Sequence, residues 1–207
     1  MQTLAKILIL LVIGTLTAQD QYTKGMDKAF HLWGDQKPIE AANLFERIAM
    51  AEQDNWLPHY YVAQINTIYS FGEKDFEKLS KQLEKAREFV ELAKAISPDN
   101  PEILVLEAMI NTAWISFDGA TYGMTLSGKN VQLYQQALEI APENPRVVFS
   151  KAEWDMGSAR YFGKDTAPYC KDVERALELF ANFSNETPFY PSWGKDRAEQ
   201  VLEQCKS

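Results

Sequence analysis

Apolar positions recur along the chain at spacings of three and four, the period of an amphipathic helix, and no stretch alternates with period two over the length of a strand. The pattern predicts first helices at about 22–34, 57–70, 101–117 and 145–161, second helices at about 38–53, 76–96, 129–141 and 170–184, and a closing helix at about 192–205. The run ahead of these is different. Lys6 is followed by an apolar stretch from Ile7 to Leu16 broken only by Gly14 and Thr15, and then by Thr17-Ala18-Gln19. A cation, a short apolar core and a small residue before a polar segment predict a signal peptide over residues 1–18, cut after Ala18, and so a single domain over 19–207. A spanning helix needs about 20 apolar residues, and Gln19, Asp20 and Gln21 come too soon.

The helices repeat. Ala93-Lys94-Ala95-Ile96-Ser97-Pro98-Asp99-Asn100-Pro101 and Ala137-Leu138-Glu139-Ile140-Ala141-Pro142-Glu143-Asn144-Pro145 agree at five of nine places at a shift of 44. An alanine stands seven residues after Pro101, Pro145 and Pro191, at Ala108, Ala152 and Ala198, and Trp56 to Ala63 is a degenerate copy. In the second helices a small residue, a large one, an apolar one and a closing proline recur: Ala86, Val90, Ala93, Pro98, and again Ala176, Phe180, Phe183, Pro188. Asn130, Tyr134, Ala137, Pro142 depart at the first place, and Ala41, Phe45, Ile48, Gln53 at the last. Small residues let neighbouring backbones approach, large ones fill the space between helices, and the proline ends the helix. One hairpin cannot bury its own apolar face, so hairpins of this kind stack continuously.

These places resemble the tetratricopeptide repeat, although its period is about 34 residues, whereas Pro98, Pro142 and Pro188 stand 44 and 46 apart and the large places of the first helix are poorly kept. Trp56-Leu57-Pro58-His59-Tyr60-Tyr61, Trp193-Gly194-Lys195 and Cys205 resemble small exported repeat proteins of Gram-negative bacteria with no assigned activity. The resemblance implies an all-α, right-handed superhelical solenoid of antiparallel hairpins with elongated repeats and a C-terminal closing helix. It also implies a non-enzymatic scaffold that binds a peptide or protein in a groove lined by the first helices. Tyr60, Gln64, Thr67, Val105, Met109, Thr112, Phe149, Glu153 and Met156 are the residues it would turn into that groove.

The extra length lies between first and second helix. The small residues are 23, 22 and 24 apart across Ala63–Ala86, Ala108–Asn130 and Ala152–Ala176, against 12 across Ala29–Ala41. The insertions begin alike, with Phe71-Gly72, Phe117-Asp118-Gly119 and Phe162-Gly163. Either the phenylalanines tuck under longer helices that stop at left-handed glycines, or the loops form a binding rim, Ala120–Thr125 above all, with Tyr122 and Met124 as its contacts. A small-molecule or glycan carrier using the groove and these loops is the alternative to a scaffold.

Charge and chemistry narrow the choice. Without residues 1–18 the chain keeps 20 cations against 29 carboxylates, a net charge of −9, which argues against nucleic acid and anionic membranes as partners. Only His31 and His59 are present, in no metal-binding spacing, and no Cys-x-x-Cys, phosphate loop or nucleophile elbow occurs, so neither enzyme chemistry, metal nor cofactor is expected. Cys170 opens the last second helix and Cys205 ends the closing one, about 18 residues before and 17 after the turn near Pro188. At about 1.5 Å per residue the two lie at similar depth, so a disulfide is plausible in a periplasmic or secreted protein, the alternative being two separate thiols. Lys164-Asp165-Thr166-Ala167 resembles a bacterial O-glycosylation site at Thr166.

Overall fold

A computed structural model describes residues 19–185 and 187–206, so the expected signal peptide lies outside the described residues. The described chain is all-α: α1 (19–34), α2 (Pro38–Ala51), α3 (Trp56–Ile68), α4 (Phe76–Ile96), α5 (Pro101–Phe117), α6 (Gly119–Ile140), α7 (Pro145–Tyr161), a 3₁₀ turn (Ala167–Tyr169), α8 (Cys170–Asn182) and α9 (Lys195–Cys205). No strand is present among the described residues.

The repeated Asn-Pro pairs are helix starts. Asn100 and Asn144 cap α5 and α7 by accepting the amide N–H of Glu102 (3.0 Å) and Arg146 (2.9 Å), while Pro101 and Pro145 take the first helical position, where no N–H is required. Asn55 and Asp75 cap α3 and α4 in the same way. From α2 to α9 each α-helix packs on its sequence neighbour, and α5 also touches α3 and α7. Ala63, Ala108, Ala152 and Ala198 are buried where helices meet, and Phe45, Val90 and Tyr134 fill the interior.

Two expectations about the insertions are corrected. The segment 119–128 is not a loop: α6 begins at Gly119, because Asp118 caps it through Thr121 and α5 offers a long helix to pack against. Gly119 is therefore helical rather than a left-handed stop, whereas Gly163 (φ 64°) directly follows the C-cap of α7 in the left-handed region and Gly72 (φ 88°) closes the turn after α3. Phe117 packs against the core as expected, but Phe71 and Phe162 stay exposed.

Residues 183–185 and 187–194, between α8 and α9, cross back over the first hairpins. The indole N–H of Trp193 donates to the Tyr60 hydroxyl (2.8 Å), and the Tyr61 hydroxyl donates to the carbonyl of Phe189 (2.6 Å). Phe189 stacks on Phe30 (5.9 Å between centroids), meets Tyr22 edge-on, and holds φ at 61°, a left-handed value that these contacts offset. Cys170 and Cys205 form a disulfide with Cα atoms 6.0 Å apart, which joins the start of α8 to the end of α9, at the ends of these helices remote from the strap.

Reducing that disulfide, or changing Cys205→Ser, should cost about 3–4 kcal/mol by closure of a 35-residue loop and lower Tm by about 10 °C in calorimetry. A second outcome follows from His59, whose pKa is lowered by burial. The unfolded chain then binds the proton first, so stability is complete above about 6.5 and declines as pH falls from there towards the depressed value. The His59→Phe variant should lose less Tm than the parent between pH 7.5 and 5.5.

Candidate functional site

The expected groove is the first place to look, and the chain itself fills it. Tyr60, Gln64, Thr67, Val105, Phe149 and Met156 are buried, leaving only Met109, Thr112 and Glu153 partly exposed. The groove expectation is thereby corrected for those six: the strap covers the first hairpins, and packing between successive hairpins covers the rest. Glu153 accepts the Arg197 Nε hydrogen bond at 2.8 Å, and the Thr112 hydroxyl donates to the Ala108 carbonyl.

Below the strap lies an ion pair absent from the expected site. Glu102 and Arg146 have side chains 0% and 1% exposed. The Arg146 Nε–H donates to both carboxylate oxygens (2.9 and 2.8 Å), and the Asn144 amide donates to Oε1 (2.6 Å). The guanidinium carbon sits 4.7 Å from the Phe183 ring centre and 5.5 Å from that of Tyr190. Burial alone would lower the arginine's pKa, and Glu102 more than reverses it, so Arg146 stays charged. Burial foremost, with the nearby Glu102 carboxylate, raises the Tyr60, Tyr61 and Tyr190 phenols, which stay neutral donors. The sequence carried a signal for this pair: Glu102 follows Pro101 and Arg146 follows Pro145, the same repeat place with opposite charge.

The unsatisfied apolar surface lies at the opposite ends of the first helices, where the insertions begin. Phe71 and Phe117 line a cavity of about 380 Å³ with Leu79, Ala113 and Lys74. Phe76, 53% exposed, stands 6.0 Å from Phe117 and 6.3 Å from Trp114, and Trp114 stands 4.9 Å from Tyr122. Tyr161 (73% exposed) approaches Gly119 and meets Phe162 (69% exposed) edge-on at 5.1 Å. Met124 is 95% exposed on the same stretch of α6. Tyr122 and Met124 lie at this edge on a helix instead of a loop.

The polar groups here are sorted by their partners. Glu73 accepts the amide N–H groups of Asp75 and Lys74, and Asp118 accepts the hydroxyl and amide of Thr121, which holds both carboxyls below their usual range. Lys164 lies over the Phe162 ring at 6.0 Å. His59 is buried against Phe89, His31 is exposed on α1, and both cysteines are bonded to each other. Among the described residues no cluster of His, Cys, Asp and Glu could hold a metal ion. Thr166 is half-buried just before the 3₁₀ turn, its carbonyl accepting the Tyr169 amide (3.0 Å).

Such an edge offers flat apolar area with Lys74 and Lys164 at its margin. The fold is similar to that of a bacterial haemophore. The chain superposes on the HusA haemophore from Porphyromonas gingivalis with a TM-score of 0.78 and 24% identity, covering 89% of this chain and 92% of that one. No family model matches the chain, and no curated protein matches it.

The ion pair gives the test of how the interior is held. Glu102→Gln should cost about 3–5 kcal/mol, because it leaves a buried guanidinium uncompensated. The double variant Glu102→Leu with Arg146→Met should recover most of that loss in urea unfolding.

Proposed function

We propose that this protein is an exported, non-enzymatic carrier of a flat, largely apolar small molecule of the porphyrin class, held at the aromatic edge formed by the ends of α3, α5 and α7 and the starts of α4 and α6. The observation that carries the reading is the row of exposed Phe71, Phe76, Tyr161 and Phe162, with half-buried Trp114 and Tyr122 among them, on the fold of a solved haemophore. A monomer leaves that much ring surface open where it binds something. Stacking on ring faces needs no metal ligand from the protein. Lys74 and Lys164, which form no ion pair among the described residues, would meet acidic substituents of the cargo.

The leader-like first residues and the disulfide support a periplasmic or secreted setting, and a glycan on Thr166 would suit the same setting. No helix among the described residues is long and apolar enough to cross a membrane. We read the stacked hairpins as a right-handed superhelix of tetratricopeptide type, on the support of the buried alanines at their crossings. In that frame the peptide-receiving face is already occupied by the strap, which favours a small-molecule cargo over a peptide.

Titration with haem and with metal-free protoporphyrin, read by absorbance and by quenching of Trp114 fluorescence, tests the proposal. Both ligands should bind, and Phe76→Ala or Trp114→Ala should each weaken them about tenfold. Met50→Ala, on exposed surface of α2 away from the edge, should leave binding unchanged. Absence of binding, or equal affinity in the Phe76 and Trp114 variants, would overturn the carrier reading.

A further inference from the structure

Resting on the carrier reading, we propose that the macrocycle enters edge-on. The cavity between the α3–α4 turn and the end of α5 receives one side of the ring, so the site selects cargo that carries only small apolar groups along that side. The cavity holds about 380 Å³, near the lower end of small-molecule sites. That is too little for a whole tetrapyrrole and enough for one of its sides. Buried Leu79 and Ala113 form the inner wall, and Phe71, Gly72, Lys74 and Ser116 stand exposed at the mouth.

Nothing in the hollow calls for a charged occupant. Glu73 and Lys74, adjacent at the rim, bring one carboxylate and one cation, so the lining has no net charge. The Glu73 carboxylate is held by the amides of Lys74 and Asp75, and the buried Ser70 hydroxyl donates to the Thr67 carbonyl at 2.7 Å. With those groups engaged, the walls offer leucine, alanine and phenylalanine, which favour an apolar occupant in proportion to the area it covers. The Phe117 ring joins the hollow to the aromatic row: it lines the cavity and stands 6.0 Å from Phe76, whose ring is 6.3 Å from Trp114. A macrocycle with one side beside Phe117 therefore keeps ring contacts outside the cavity as well. The mouth is open at Gly72, where even an added Cβ would meet no atom within 4 Å. Aryl groups on all four bridging carbons of a ring would strike the rim before any side could enter.

Protoporphyrin and tetrakis(4-carboxyphenyl)porphyrin are the probes, both flat and both acidic, titrated into the purified full chain and followed by absorbance and tryptophan fluorescence. Protoporphyrin should bind at least tenfold tighter than the tetra-aryl ring. Two variants fill the hollow from opposite ends: Ala113→Leu at the inner wall, and Ser116→Trp at the exposed mouth, which should leave Tm unchanged. Each should weaken protoporphyrin about fivefold or more. Equal or tighter binding of the tetra-aryl ring overturns edge-on entry and shows flat stacking instead. Unchanged protoporphyrin affinity in Ser116→Trp, with Phe76→Ala still weakening it, also overturns edge-on entry and leaves the carrier reading in place. Binding of neither porphyrin removes both.

Discussion

Glu102 and Arg146 are two charges taken out of water and set against each other, and the arrangement around them follows from that expense. Two ions lose several kcal/mol of hydration each on burial, which an ion pair recovers only when its remaining donors and acceptors are met. Glu102 meets this with three hydrogen bonds, two from Nε of Arg146 and one from the Asn144 amide. The Arg146 guanidinium lies over the Phe183 and Tyr190 rings, and those two rings belong to the strap. The pair therefore joins consecutive hairpins and also fixes where the returning segment must lie.

The strap also covers α3, whose Tyr60 and Tyr61 present phenols towards it. Here Trp193 and the Phe189 carbonyl meet those phenols, and Phe189 completes an aromatic cluster with Tyr22, Phe30 and Tyr61. The disulfide between α8 and α9 restricts the two helices that carry the strap, so the unfolded chain gives up less entropy in placing it. What would be a recognition groove in an open repeat protein becomes part of the core.

With the inner face closed, the exposed apolar area is pushed to the other ends of the helices. The insertions lengthen α4 and α6 and bring Phe76, Trp114, Phe117 and Tyr122 within ring contact. Their nearby carboxyls are absorbed by local amides and hydroxyls, so the edge presents rings and lysines.

Much of this was legible in the residues alone. The Asn-Pro pairs, the alanines at 108, 152 and 198, and the helical period fix the helices and their crossings, because capping, proline geometry and close backbone approach act over a few residues. The depth of Cys170 and Cys205 followed from counting turns of two neighbouring helices. The start of α6 was not legible: Gly119, Gly123 and Gly128 are poor helix formers, and the segment is helical because Asp118 caps it and α5 supports it. Nor were the strap's contacts, since Trp193 reaches Tyr60 across 133 residues and Phe189 reaches Tyr61 across 128. Local chemistry sets where helices begin, pause and cross; which face of the stack is covered depends on the energy of packing rings and burying charge between distant segments, and no periodicity in the chain encodes that.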